Sequence, residues 1–202
     1  MMECSVKKRL KDFFLDVNLK EEGNIAITGE NGSGKSTLAR IVSGSLKQDE
    51  GYVRINGRDV THKKPGERGV VLVTPSSFVP NFTPFKHLKW GYKAGLKRGN
   101  ILDLETVIQE LKLPVTEKKL SELSLGNRER VSLATALIGR PDVIIADEAF
   151  SNINDRESFM QSFISLCKKN SIQLIYITQD IKDVNHAEHH YIMRNGRLER
   201  EY

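Results

Sequence analysis

Stretches of period-two and helix-period hydrophobicity alternate along this chain. Phe13, Leu15, Val17 and Leu19 alternate with charged or polar neighbours, apart from Phe14, and predict a half-buried strand. Glu21–Gly23 predicts a tight turn, and Asn24–Thr28 is a short apolar run that feeds a Gly-rich loop. Leu38, Ile41, Val42 and Leu46 then recur at helical spacing over Ser36–Leu46. Tyr52–Ile55, closed by the turn pair Asn56–Gly57, and Val70–Val73 are further strands. From Phe78 to Leu113 the character changes: Pro80 and Pro84 punctuate a Lys-rich segment, and Ile101–Leu111 predicts an amphipathic helix stopped by Pro114. Asn127–Ile138 is another helix, closed by Gly139, Arg140 and Pro141. Val143–Ala146 is a continuous apolar run, as expected of a strand buried on both faces. Helix Arg156–Lys169, strand Gln173–Thr178 and a terminal hairpin around Asn195–Gly196 complete the order. Strands alternating with helices predict an α/β fold with a mostly parallel core sheet.

Composition narrows this picture. The 202 residues are 39% hydrophobic, enough for one sizeable core, so a single domain over 1–202 is expected. No run approaches the roughly 20 apolar residues of a membrane-spanning helix, and Met1–Lys11 is charged, so the chain is expected to be cytoplasmic. Cys4 and Cys167 form neither a disulfide framework nor a zinc cluster, and both read as structural thiols. The net charge of +5 comes from Lys and Arg dispersed among 26 acidic residues, and no recognition helix is evident, so no nucleic-acid partner is expected. Lys86, Lys89, Lys93 and Lys97 are spaced three, four and four, which fits one helix face, although Gly91 and Gly95 weaken such a helix. His186, His189 and His190 have helix-face spacing suited to zinc, but no further His or Cys lies near them, and a surface junction before strand Tyr191–Met193 is the expectation.

The chemistry begins at Gly29-Glu30-Asn31-Gly32-Ser33-Gly34-Lys35-Ser36, followed by Thr37. It fits G-x-x-x-x-G-K-[ST] between a predicted strand and a predicted helix. Glycines let successive N–H groups converge on phosphate oxygens, and the helix presents its positive end to the same anions. Lys35 is expected to reach the β- and γ-phosphates of ATP, and Ser36 to ligate Mg²⁺. Such a loop needs a second group for the metal's water shell and one to activate water. Val143-Ile144-Ile145-Ala146-Asp147-Glu148 supplies both: Asp147 at the end of a buried strand contacts Mg²⁺ through water, and Glu148 is the candidate general base.

Leu123-Ser124-Leu125-Gly126-Asn127, followed by Arg128-Glu129-Arg130-Val131-Ser132-Leu133-Ala134, resembles the L-S-G-G-Q signature and R-Q-R-V-A-L-A continuation of the ABC ATPases. The resemblance covers nearly the whole chain. It implies a P-loop NTPase of ABC type with an N-terminal antiparallel β portion, a core of about 1–78 and 138–202, and an inserted helical subdomain of about 79–137. It further implies that Ser124, Leu125, Gly126 and Asn127 meet the γ-phosphate on a partner's P-loop, so that ATP is sandwiched in a head-to-tail dimer of this chain or of a paralogous ATPase subunit. Gly57–Arg68 is similar to G-x-D-I-T-x-x-P-x-x-R of molybdate-, sugar- and polyamine-type importer ATPases. The chain thus resembles the ATP-binding and ATP-hydrolysing subunit of an importer that joins transmembrane permease subunits, peripheral on the inner face of the membrane. A soluble ATP-dependent switch built on the same fold is the rival reading, and fold does not choose between them.

Several positions depart from the family pattern. Thr178-Gln179-Asp180 stands where the family has T-H-D, so Gln179 offers the γ-phosphate a hydrogen bond without an imidazole. Thr74, Pro75 and Ser76 occupy the region of the family's loop glutamine, Asn154 replaces an aspartate, and Ala149 a proline. Leu125 replaces a signature glycine and Asn127 the glutamine. The aromatic residue expected near Val6–Leu10 to stack on adenine is missing, which leaves Phe13 or Phe14 as substitutes under a different strand register. ATP binding with slow hydrolysis is the expectation.

Overall fold

The structure is a computed structural model, described over residues 1–99 and 102–202. The chain divides into two compact units: Met1–Leu72, Asp142–Asp147 and Gln173–Tyr202 form one, and Val73–Pro141 with Glu148–Ile172 the other.

In the first unit, strands β1 (Met2–Leu10), β2 (Phe13–Glu21), β4 (Glu50–Ile55) and β5 (Arg58–Asp59) form an antiparallel sheet in the order β2-β1-β4-β5. A second sheet contains β3 (Ile25–Thr28), β6 (Val70–Val73), β7 (Val143–Asp147), β8 (Gln173–Ile177), β9 (His189–Arg194) and β10 (Arg197–Arg200), ordered β10-β9-β3-β8-β7-β6. Strands β9, β3, β8 and β7 are mutually parallel, and β10 turns back antiparallel on β9. Helix α1 (Lys35–Ser43) follows β3 and packs beside β7. One core joins these elements: Met2, Cys4 and Val6 from β1, Leu15, Val17 and Leu19 from β2, Ile25 and Ile27 from β3, Leu38, Ile41 and Val42 from α1, and Val143 and Ile145 from β7. Helix α1 is shorter than predicted. Gly44 adopts φ 85° and ends it, and the buried Arg68 guanidinium donates to the Ile41 carbonyl at 2.9 Å and the Val42 carbonyl at 3.3 Å, satisfying helix-end acceptors.

The second unit is helical: α2 (Pro84–Leu96), α3 (Leu104–Glu110), α4 (Leu125–Ile138) and α5 (Arg156–Lys169). Thr83 caps α2, accepting from the Lys86 amide, and Pro84 occupies its first turn. The two glycines do not break α2, and Gly91 serves its packing on α4. A Cβ on Gly91 would stand 2.4 Å from the Thr135 carbonyl oxygen, so the close approach requires glycine there. Phe150, Phe159 and Phe163 cluster around α5, with the Arg130 guanidinium 4.8 Å from the Phe159 ring centroid. Of the predicted helix Ile101–Leu111, Ile101 lies outside the described residues and the helix itself spans Leu104–Glu110, capped by Asp103. No helix among the described residues is long and apolar enough to cross a membrane.

The three histidines do not share a helix. His186 ends the short 3-10 helix Ile181–His186, and His189 and His190 stand on β9 with side chains alternating across the sheet. His190 is buried and bonds Thr28 Oγ1 at 2.8 Å, and His189 lies 3.4 Å from the Glu21 carboxylate. No group of three or more metal-ligating His, Cys, Asp or Glu side chains occurs among the described residues.

Candidate functional site

Parallel pairing decides where the site residues of the first unit stand. Ile27 of β3 and Asp147 of β7 both pair with Ile177 of β8, so the three strands end level with one another. The loop after β3, the carboxylate ending β7 and the Thr178-Gln179-Asp180 segment after β8 therefore emerge along one C-terminal edge of the sheet. Ligand sites of open α/β sheets form along such edges.

Residues 29–34 run from β3 into α1 as a tight loop. Gly29 has φ 138°, and a Cβ there would lie 2.3 Å from the Met193 carbonyl oxygen, so no other residue fits. Gly34, at φ 114°, is the N-cap of α1 and offers no side chain to its first turn; a Cβ there would meet the Phe13 ring at 2.7 Å. The first-turn amides of α1 thus face outward as an anion-binding end. Lys35 is buried, and its ammonium donates to the carbonyls of Gly29 at 2.6 Å and Glu30 at 2.8 Å, which holds the positive charge inside the loop's curve. Ser36 is exposed at the helix start and Thr37 half-buried behind it. Gln179 donates to Asn31 Oδ1 at 3.0 Å, linking the segment after β8 to the loop.

These residues border an open cleft of about 780 Å³ lined by Gly29, Glu30, Asn31, Gly32, Ser33 and Gln179, with Phe13, Ile192, Met193, Arg194 and Asn195 as its remaining walls. The aromatic wall comes from the first residue of β2, not from the Val6–Leu10 strand. Phe14 points away, 41% exposed, under the Arg9 guanidinium. The contribution of Met193–Asn195 was not legible in the sequence, where Asn195–Gly196 signalled only a turn. The Gly196 amide donates to the Ser33 carbonyl at 2.9 Å and so fastens that turn to the loop.

Asp147 is half-buried at the end of β7, and Glu148 follows it in a left-handed conformation with φ 55°. Such backbone is costly for a non-glycine residue and concentrates at functional positions. Ser151 Oγ donates to the Glu148 carbonyl at 2.8 Å.

The second unit carries a separate cavity of about 340 Å³ lined by Ser124, Leu125, Gly126, Asn127, Arg130, Asn152, Asn154 and Asp155. Ser124 is the N-cap of α4, its hydroxyl accepting from the Asn127 amide at 3.4 Å. Leu125 is helical, so α4 starts two residues before the predicted Asn127; a good helix former with a serine cap extends it. Arg128 donates to the carbonyls of Leu123 at 2.9 Å and Ser121 at 2.7 Å, and the Arg130 guanidinium pairs with Asp155. Thr74, in the region of the family's loop glutamine, is engaged locally: its amide donates to Ser77 Oγ at 2.9 Å and its hydroxyl bonds Ser76 Oγ at 3.1 Å.

With this geometry in view, known proteins give a consistent set of likenesses. The family model described as ABC transporter matches residues 14–151. A thiamine import ATP-binding protein of Histophilus somni is 31% identical over 178 residues, which is 85% of this chain and 82% of the relative. A molybdenum import ATP-binding protein of Haemophilus influenzae is 30% identical over 212 residues, 97% of this chain but 58% of that longer relative. A solved nucleotide-free ATP-binding cassette from an ABC transporter superposes with TM-score 0.80 at 26% identity, covering 98% of this chain and 89% of the other. A dimeric cassette bound to ADP and Pi in a post-hydrolysis state has TM-score 0.80 at 22% identity and shares the fold, with 99% of this chain and 97% of the other covered.

Proposed function

This chain belongs to the ABC transporter family as one of its ATP-binding cassettes, and from that premise we propose that it binds and hydrolyses ATP with Mg²⁺ to drive an importer. The observation that carries this is the level C-terminal edge at which Gly29–Thr37, Asp147 and Gln179 emerge. The triphosphate lies along the loop, where the amides of Gly32, Ser33 and Gly34 and the start of α1 face its oxygens. Lys35 turns from the carbonyls of Gly29 and Glu30 toward the β- and γ-phosphates. Phe13 and Asn195, at the far wall of the cleft, take the adenine end. The exposed Ser36 hydroxyl and the Asp147 carboxylate suit a hard oxygen-seeking cation, and both belong to the same unit. Mg²⁺ held there supplies charge neutralisation at the phosphates. Glu148 withdraws the proton of the attacking water, and Gln179 donates a hydrogen bond to the γ-phosphate.

Two copies, or this chain and a paralogous ATPase subunit, close head to tail on two ATP molecules, with Ser124, Leu125, Gly126 and Asn127 of each facing the loop of the other. The Ser124 hydroxyl and the α4 N-terminus are anion-binding parts suited to that contact. Closure then moves transmembrane permease subunits between their access states, with the ATPase peripheral on the cytoplasmic face of the membrane. The named substrates of the relatives support an importer, and no nucleic acid takes part. The decisive experiment is sedimentation of Glu148→Gln with ATP and Mg²⁺, in which dimers are expected. A variant that stays monomeric at saturating ATP would overturn the sandwich.

A further inference from the structure

We propose that Arg194 sets the nucleobase preference of the cleft, and that the cleft binds GTP at least as tightly as ATP. The inference rests on the reading of this cleft as the nucleotide site and concerns only its base end.

Strand pairing places the arginine. Ile192 of β9 pairs with Thr28 of β3, so the chain leaves β9 beside the first residues of the Gly-rich loop. The approach is close, since the Met193 carbonyl oxygen stands 2.3 Å from where a Cβ on Gly29 would be. The turn that follows is fastened twice: the Gly196 amide donates to the Ser33 carbonyl at 2.9 Å, and the Asp16 amide donates to the Gly196 carbonyl at 2.8 Å. Arg194 therefore rises from a fixed backbone, next to Asn195 and in the same cleft as Phe13. It is the one cationic residue among those lining the cleft. The pairing of β9 with β10 puts Arg194 and Glu199 on one face of the hairpin, and Arg194 Nη1 donates to Glu199 Oε2 at 3.0 Å. Both side chains of this pair are exposed, so it orients the guanidinium while adding little to stability. It engages one nitrogen only, and the remaining N–H donors of the fork have no partner among the described residues.

The chemistry of the wall then decides which base it suits. Phe13 offers a flat apolar face, and every base can stack on such a face, so Phe13 holds a base without choosing it. Asn195 carries both a donor and an acceptor on its amide and can turn to suit either purine. Arg194 has donors alone. Guanine presents two acceptors side by side, N7 and O6, which an arginine fork meets with two hydrogen bonds. Adenine presents N7 beside the N6 amino donor, so one arm of the same fork faces another donor. The triphosphate is met elsewhere, by the loop amides and Lys35, which leaves Arg194 for the base. A two-bond contact of this kind discriminates between bases by about tenfold.

The test is competition against a fluorescent ATP analogue on the full chain with Mg²⁺, using ATP, GTP, ITP and 7-deaza-GTP. GTP should compete at least as well as ATP. ITP should match GTP, because hypoxanthine keeps O6 and N7, whereas 7-deaza-GTP, which lacks the N7 acceptor, should compete several-fold less well. Arg194→Ala should shift the ratio of GTP to ATP affinity by about tenfold toward ATP. Arg194→Lys keeps the charge but not the fork, so it should shift that ratio in the same direction. Three results would overturn the inference while leaving the nucleotide site in place: ATP bound at least about tenfold more tightly than GTP by the wild type, ITP behaving like ATP, or Arg194→Ala weakening both nucleotides equally. The last would put the guanidinium on the ribose or phosphates that the two share. Failure of every nucleotide to displace the analogue would overturn the reading of the cleft itself, and the inference with it.

Discussion

Asn152 is held by the buried carboxylate of Glu129 through two hydrogen bonds, one from its backbone amide at 3.0 Å and one from its side-chain Nδ2 at 2.6 Å. One turn earlier on α4, a Cβ on Gly126 would stand 2.3 Å from the Asn152 carbonyl oxygen. The start of α4 and the loop carrying Asn152 and Asn154 are thus fastened together, and both line the same cavity. Burial raises the Glu129 carboxyl above the ordinary glutamate value against the lowering effect of the Asn152 bonds. Glu129→Ala strands two donors, and a loss of about 1–3 kcal/mol is expected in urea denaturation. Asn152→Ala should cost less, since the backbone bond survives, and the double variant should fall short of the sum by about 0.5 kcal/mol or more. Strict additivity would show that the two residues do not act together.

Lys35 takes a second prediction. Its ammonium is the only part of the loop that carries a full positive charge, and it already sits on the Gly29 and Glu30 carbonyls. Lys35→Ala removes charge-assisted hydrogen bonds of about 1.5–3 kcal/mol each from bound phosphate, so ATP affinity should fall by about tenfold to a hundredfold or more. Titration with a fluorescent ATP analogue measures this. Unchanged affinity would remove Lys35 from the phosphate site.

Strands buried on both faces and the Gly-rich loop were legible in the sequence, because their apolar runs and glycine spacing are local signals. Val70–Val73 and Arg156–Lys169 coincide with their predicted bounds. Strand β1 was not foreseen, since Lys7, Lys8 and Arg9 mask the alternation of Met2, Cys4 and Val6, which are buried. Gly91 and Gly95 weaken α2 by propensity, and at Gly91 that cost is offset by the close approach to α4, a long-range contact that no local pattern reveals. Three- and four-residue spacing of histidines marks a helix face only where there is a helix, and His189 and His190 stand on a strand. The far wall of the cleft, Phe13 with Met193–Asn195, is assembled from chain segments some 180 residues apart. Contacts of β2 with the hairpin of β9 and β10, among them the Asp16 amide donating to the Gly196 carbonyl at 2.8 Å, bring them together.

Gln179 stands at the position where the family pattern has histidine, two residues past the end of β8, and it reaches Asn31 on the loop. A histidine there adds a group that titrates near neutral pH and keeps a donor for the γ-phosphate. If the missing imidazole limits hydrolysis, Gln179→His should raise steady-state turnover at saturating ATP by about tenfold or more, within the usual range for a positioned acid–base group. The same rate with intact nucleotide affinity would move the limitation to Leu125, Asn154 or the Thr74–Ser76 loop.

His87 gives a prediction for pH. The Thr135 hydroxyl donates to the Val131 carbonyl at 2.7 Å, so it accepts from His87, which fixes the proton on Nδ1. Nε2 is buried with no hydrogen-bond partner among the described residues, and a second proton there would have no acceptor. Burial accordingly pushes the imidazole down from 6.5 to about 4. A base whose folded pKa is depressed adds stability above its unfolded value and loses it as pH falls, so this contribution is complete above pH 6.5 and is withdrawn between 6.5 and about 4. The slope in that window reaches at most about 1.4 kcal/mol per pH unit. His87→Gln removes the titration, so the difference in stability between wild type and variant should shrink as the solution is acidified from pH 7 to 4. The Trp90 ring lies 5.7 Å from His87, edge to face, and its fluorescence follows unfolding at this contact. Parallel pH profiles for the two proteins would show that His87 is hydrated and not confined between α2 and α4.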